Sequence, residues 1–396
     1  MNTTKEPNKG SFFLYTMKNI FWFFILLMLS FSCKEKNRSA EKTLTTVSVA
    51  DSSMSLRYAI GFDVAYYDGY KRVILYNPWD KGSELIRYYL LQKKGVKVPK
   101  DGVVLSIPLT SMASGSCTHN TFLQQLGLLH LVTGVCDTKR IYNEEMRRAV
   151  ESGRIIDLGD PFNINLERCL LLKPDVLMIN SFNKQDEHVN RISDAGIPVL
   201  YNNEWMETNL LGRAEWIRFI ACFFDKEAIA DSLFREIEVK YNRLKKLAAT
   251  TTFKPTVLSG DDFRGTWYLP GGKSFTTQLF VDAGADYVYA KDTSVGSKPF
   301  TFEQVLHDFH QASVWVGVTN ASSLQDLKKI DERYTLFDAF KKGNVWSYNL
   351  RTTPQGGNDF WETGVARPDY LLSDFIQVFH PELKIPEDFH FLKKVN

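Results

Sequence analysis

Two stretches of the chain repeat one local plan, one in each half. Residues 162–180 read FNINLERCLLLKPDVLMIN and residues 300–318 read FTFEQVLHDFHQASVWVGV. Each begins extended with an aromatic side chain, then turns into a short helix carrying Glu167 or Glu303. Apolar residues follow at helical spacing, then a break, then a β-branched apolar run suited to a buried parallel strand. A helix-then-strand unit used twice, with a glutamate at the same place, predicts two similar α/β lobes presenting two matched negative charges. Such a pair suits docking onto a two-fold symmetric partner.

The amino terminus is a targeting segment and is set aside before fold reasoning. Residues 20–29, IFWFFILLML, are uninterruptedly apolar and follow Lys18. The run is too short to cross a bilayer comfortably, which takes about 20 apolar residues. It ends at Ser30-Phe31-Ser32-Cys33 and gives way to the polar KEKNRS. Residues 1–33 resemble a bacterial lipoprotein signal in which Cys33 becomes the lipidated first residue, anchoring the mature chain to a membrane. An ordinary cleaved signal or a short uncleaved anchor are the alternatives, Met17 is a second possible start, and all of these export the remainder.

The whole chain carries 48 Lys and Arg against 46 Asp and Glu. Removing residues 1–32 takes away Lys5, Lys9, Lys18 and Glu6, which leaves 45 of each sign. This balance gives no support to nucleic-acid binding or to a polybasic membrane patch. Of the later cysteines, Cys169 and Cys222 sit in apolar helical runs and read as core. Cys117 and Cys136 each follow a predicted strand, and an exported protein can pair them or leave them free.

Residues 34–55 are polar and read as a flexible tether. Residues 56–100 hold short aromatic-rich runs parted by turn residues, which predicts an antiparallel β appendage. From residue 101 the rhythm is strand, loop, helix, with VVLSIPL as the opening strand and TSMASGSCTHN as a small-residue loop. That alternation predicts a parallel sheet flanked by helices through residue 222. Residues 223–250 contain the longest helical pattern, with Ile229, Leu233, Ile237, Tyr241 and Leu244 on one face and no Gly or Pro. It reads as a rigid span into a second α/β lobe, residues 251–396. The expected fold class is therefore α/β: two Rossmann-like lobes joined by one long rigid helix, with a small N-terminal β appendage.

The order NLERCLLLKPDVLMIN then AGIPVLYN in the first lobe, and KPTVL, WYLPGGKSF, DAGADYVY, TFEQVL in the second, resembles the periplasmic solute-binding proteins for iron chelates and cobalamin. The resemblance covers about residues 101–381. It implies a ligand held between the lobes and no enzymatic chemistry. It also implies an ABC permease dimer as partner, whose arginines meet Glu167 and Glu303. The cargo would be a metal chelate (ferric siderophore, haem or cobalamin), with iron chelates favoured by the arginines of the cleft loops. The protein itself would carry no cofactor.

Ligands of open α/β sheets lie beyond the carboxyl ends of the strands. That rule selects the loops 110–119, 136–142, 180–182 and 201–205 in the first lobe. In the second it selects 261–268, 319–320 and 348–361. Their candidate ligand contacts are Thr118, His119, Arg140, Trp205, Arg264, Trp267, Tyr268, Arg351 and Trp361. Aromatic faces cover a flat macrocycle or catecholate, and arginines pair with carboxylates or chelate oxygens. Trp267 and Trp361 have core alternatives, Arg264 can instead neutralise Asp261 and Asp262, and either glutamate can simply favour a helix start. A bare Zn or Mn receptor would need several His and carboxylate ligands converging, with His119 the first suspect. A Cys117–His119 hydrolase is the enzyme alternative.

Overall fold

The computed structural model describes residues 49–182, 187–318 and 321–396, and within these Val49–Asn396 form one compact unit. The signal segment with Cys33, residues 34–48 of the tether and the loop 319–320 lie outside the described residues.

Among the described residues, four sheets of three or more strands organise this unit. The appendage sheet runs in the order Ser52–Ser53, Phe62–Tyr67, Tyr70–Tyr76, Glu84–Leu91, Val103–Ser106. Its first four strands are antiparallel and the last is parallel to Glu84–Leu91. This corrects two boundaries. Residues 52–53 belong to the sheet rather than to the tether. The run VVLSIPL, read as the first strand of the lobe, is the last strand of the appendage. Both errors have one cause: a strand's hydropathy shows that it is buried but not which sheet it joins.

The first lobe's own sheet is fully parallel, in the order Val199–Tyr201, Val176–Ile179, Met112–Ser114, Val132–Val135, Ile156–Asp157. Its strand Met112–Ser114 lies inside the stretch read as a loop, because three small or flexible residues carry too little β-branched signal. The second lobe has Val257–Ser259, Val314–Val318 and Val345–Ser347 in parallel, with Lys393–Lys394 closing the edge antiparallel. A three-stranded antiparallel sheet, Asp262–Phe263, Thr266–Pro270 and Ser297–Phe300, accompanies it. The two repeated units end in Val176–Ile179 and Val314–Val318. Both strands are flanked on either side by a parallel neighbour, and every residue in both is buried.

The helix Glu227–Ala248, 22 residues long, joins the lobes by sharing its length between two cores. Ala230 and Phe234 pack with the first-lobe cluster, whereas Ile237, Tyr241, Leu244 and Ala248 pack with the second. A span seated in both cores bends only at the cost of apolar burial on both sides. Its buried stripe is rotated from the expected one: Ile229 is exposed and Phe234 takes its place.

The appendage is bound to this frame by charge-assisted hydrogen bonds as well as by packing. Backbone N–H groups of Arg57, Tyr58 and Ala59 donate to the buried carboxylate of Glu215 at 2.8–3.2 Å. Those of Ile60 and Gly61 donate to Glu207 at 3.0 Å. Such bonds are stronger than neutral ones and hold an otherwise irregular segment in one register. Phe62 packs edge-on against Trp216 and Phe219 of the helix Leu210–Cys222, which is buried along nearly its whole length.

Candidate functional site

Each lobe opens a cavity where its parallel strands end. In the first lobe, about 320 Å³ is lined by Ser116 and Cys117 after Met112–Ser114, by Asp137 and Arg140 after Val132–Val135, and by Asn180 and Phe182 after Val176–Ile179, with Phe162 at the rim. In the second, about 350 Å³ is lined by Ser259 and Gly260 at the end of Val257–Ser259, by Gly317, and by Tyr348 after Val345–Ser347. Tyr268, Phe263, Phe360 and Trp361 supply aromatic walls, and Arg213 reaches in from the first lobe's last helix. Gly317 has φ 79°, and a Cβ there would stand 2.8 Å from the Tyr348 hydroxyl, so only glycine leaves that ring its place.

The segments that line these cavities also join the lobes. Past Arg140, Tyr142 and Asn143 give their backbone N–H groups to Glu362 at 2.7 and 3.0 Å. Arg351 Nε donates to the Tyr142 hydroxyl at 3.2 Å, while Arg351 Nη1 lies 3.2 Å from Asp359. Thr121 and Thr363 bring their hydroxyls to 3.3 Å. A third cavity, of about 390 Å³, lies on this seam among Tyr142, Arg147, Arg351, Asp359 and Glu362. Burial raises the Glu362 carboxyl to about 7 and also raises Asp359. Burial thus works against ionisation of both carboxyls, and at Asp359 the Arg351 guanidinium opposes this effect.

The candidates named from sequence separate into three groups. Arg140, Tyr268, Arg351 and Trp361 line cavities, with Tyr268 and Trp361 each 51% exposed. Trp205 is half-buried beside Phe182, ring centroids 5.6 Å apart. Arg264 stands at a hairpin tip with φ 56°, its guanidinium 5.2 Å over Phe263, so it is the neighbour of a cavity residue rather than one itself. Thr118 turns its hydroxyl to Ser116 at 2.9 Å, and Cys117 faces the cavity instead.

His119 and Trp267 are corrected to structural roles. His119 is fully buried, with Ser114 Oγ 3.1 Å from Nδ1 and Asn180 Oδ1 2.9 Å from Nε2. With the Asn180 carbonyl as acceptor, Nε2–H donates, and Nδ1 faces the Ser114 hydroxyl, so both nitrogens are engaged by side chains of the first lobe. Burial lowers this imidazole to about 4. Trp267 is fully buried among Trp315, Phe302, Tyr334 and Phe337, and its Nε1 donates to Ser259 O at 2.8 Å. Cys117 and Cys136 are free thiols, both pushed up by burial to about 12, far from an activated nucleophile. Among the described residues, no group of three or more His, Cys, Asp or Glu is arranged to hold a metal ion.

Glu167 and Glu303 occupy the same position in their helices and both are exposed. Each is the second helical residue after a capping side chain: Asn165 accepts from Arg168 N–H, and Thr301 accepts from Gln304 N–H. Glu303 also sits 3.4 Å from Arg333. The side chains that the sequence reading missed are Tyr142, Phe162, Arg213 and Glu362. Phe162 opens the first repeated unit and was legible there as an aromatic, but nothing local distinguishes Glu362 from its neighbours.

A family model described as periplasmic binding protein matches residues 118–350. An uncharacterized lipoprotein of Methanocaldococcus jannaschii is 25% identical over 390 residues, covering 92% of this chain and 91% of its own. The molybdate-binding protein MolA of Haemophilus influenzae is 28% identical over 205 residues, 46% of this chain and 56% of its own. Among solved structures, a periplasmic heme binding protein of Pseudomonas aeruginosa superposes with a TM-score of 0.56 at 15% identity, covering 73% of this chain and 98% of that one.

Proposed function

We propose that this chain, which belongs to the periplasmic binding protein family, captures a metal chelate between its lobes and hands it to an ABC importer. The observation that carries this reading is the pairing of the two strand-end cavities through a shared seam. Residues 137–143 line one cavity and grip the other lobe, and the helix Asp359–Ala366 does the same from the opposite side. A ligand lying across the seam touches both lobes at once. Aromatic walls of Tyr268, Phe263 and Trp361 and the arginines Arg140 and Arg351 suit a flat organic chelate with anionic edges better than a small hydrated ion. The chelate would be a ferric siderophore, haem or cobalamin.

Glu167 and Glu303 are the docking charges in this reading. Both project from the first turn of a helix that precedes a central strand, so the sheets hold their spacing rigidly. An exposed ion pair such as Glu303–Arg333 contributes little to folding, about 0–1 kcal/mol, so exchanging it for a partner's arginine costs little. The resemblance of residues 1–33 to a lipoprotein signal, together with the lipoprotein relative, supports export and membrane anchoring through Cys33.

Intrinsic tryptophan fluorescence of the full chain tests this, titrated with haemin, cobalamin, ferric siderophores, molybdate, Zn²⁺ and Mn²⁺. Saturable quenching by one chelate at micromolar or lower concentration is expected. A response to Zn²⁺ or Mn²⁺ alone, or to none of the titrants, would overturn the reading. With the cargo known, the double variant Glu167→Lys, Glu303→Lys should abolish uptake in cells while leaving affinity unchanged.

A further inference from the structure

Trp79 belongs to neither lobe, yet it completes a row of rings that starts in the first lobe's cavity. It lies in the turn between the appendage strands Tyr70–Tyr76 and Glu84–Leu91. Its backbone N–H donates to Asn77 Oδ1 at 3.0 Å, and Asn77 N–H donates to Ser83 O at 2.9 Å, so the turn is braced from within. Its ring meets Trp205 with centroids 6.4 Å apart and planes at 53°. Trp205 meets Phe182 at 5.6 Å and 39°, and Phe182 meets Phe162 at 5.2 Å and 41°.

This row differs from the aromatic core. Trp267 is closed in on every side, whereas Phe162 is 63% and Phe182 47% exposed, and both line the cavity. Exposed aromatic carbon held in a continuous strip is costly in water unless something covers it. Among the described residues, the buried Trp205 indole N–H has no acceptor. Buried donors are nearly always paired, so this one stands out beside the exposed rings of Phe182 and Phe162.

We propose that the appendage is part of the ligand-recognition face, and that Trp79 reads a wide planar macrocycle of porphyrin or corrin size. This rests on the chelate reading above and narrows it. One edge of the macrocycle lies by Phe162 and Phe182, and the opposite edge reaches Trp79. Width is the deciding quantity: a compact chelate or an oxyanion anchored at Phe162 and Phe182 is two ring steps short of Trp79. The appendage is held to the first lobe by Glu207 and Glu215, so Trp79 is positioned before any ligand arrives.

The test compares the full wild-type chain with Trp79→Ala and Trp79→Phe, titrating haemin, cobalamin, a compact ferric hydroxamate and molybdate. Thermal unfolding of each variant is followed in parallel. One lost aromatic contact weakens planar-macrocycle binding roughly 3–10-fold in the Ala variant, and Phe restores most of it. Unfolding temperature and any affinity for the compact ligands stay unchanged. Equal macrocycle affinity in wild type and Trp79→Ala would overturn the proposal. So would a loss that Phe does not rescue and that falls together with the unfolding temperature, since that marks a packing role. Wild-type binding of the hydroxamate alone would overturn it while leaving the chelate function standing. Binding of no chelate would remove both.

Discussion

Glu362 of the second lobe holds Tyr142 of the first by its backbone, accepting the Tyr142 N–H at 2.7 Å, with the next N–H, that of Asn143, at 3.0 Å. Two donors from one lobe converge on one buried carboxyl from the other, directly behind the loop that carries Arg140. The contact is short, backbone-mediated and therefore insensitive to which side chains flank it.

This seam should make stability depend on pH. Glu362 is raised from the ordinary glutamate value of 4.5 to about 7 by burial. The folded chain therefore holds a proton between those values that the unfolded chain has released. The associated stability is fully present below pH 4.5 and is lost as pH rises through 7, on the order of 2–3 kcal/mol. Glu362→Gln should lack that loss. Urea unfolding at pH 5 and pH 8 measures it: the gap between variant and wild type shifts in favour of the variant at pH 8. A constant gap would show that Glu362 titrates normally.

His119 should act with the opposite sign. Its imidazole is lowered from 6.5 to about 4 by burial, so the unfolded chain binds a proton first on acidification. The contribution is present above pH 6.5 and lost as pH falls toward 4. His119→Leu leaves the Asn180 carboxamide oxygen without its imidazole partner, costing about 1–3 kcal/mol near neutral pH. That cost should shrink as pH drops from 6.5 to 4, because only wild type weakens on acidification. A cost that is flat across this range in denaturant melts would contradict the burial argument.

Trp267 and Trp361 lie on the same lobe and should respond in opposite ways. Removing the enclosed Trp267 leaves a cavity among four rings, and Trp267→Ala should destabilise by about 3–5 kcal/mol. Trp361 is half exposed at the cavity wall, so Trp361→Ala should leave the unfolding midpoint near wild type and weaken ligand binding. Arg351→Ala should also weaken binding, through loss of its contact with Tyr142 across the seam. Chemical denaturation alongside ligand titration separates the cases. A destabilised Trp361→Ala would move that residue into the core.

The repeated helix–strand unit, the long connecting helix and the exposed glutamates were legible because local periodicity carries them. Glu167 and Glu303 stand at the second position of their helices because Asn165 and Thr301 cap those helices, and capping is a short-range signal. The loops at the strand ends were legible too, since strand direction alone selects them. Within those loops the sequence was blind to depth. Trp267 and Trp361 are both tryptophans beside glycine-containing turns, and only packing makes one a core plug and the other a cavity wall.

Membership in a sheet, the pairing of Glu362 with Tyr142, and the row from Phe162 to Trp79 were decided by tertiary structure. Residues 103–106 join the appendage because a backbone ladder with Glu84–Leu91 satisfies their N–H and C=O groups, and hydropathy does not encode a partner. Glu362 meets the Tyr142 N–H across 220 residues of chain, and Trp79 meets Trp205 across a gap of similar kind. Local sequence determines which segments become helix, strand or loop, because propensity, capping and periodicity act within a few residues. Contacts between distant segments arise only when burial and hydrogen bonding are satisfied together throughout the folded chain.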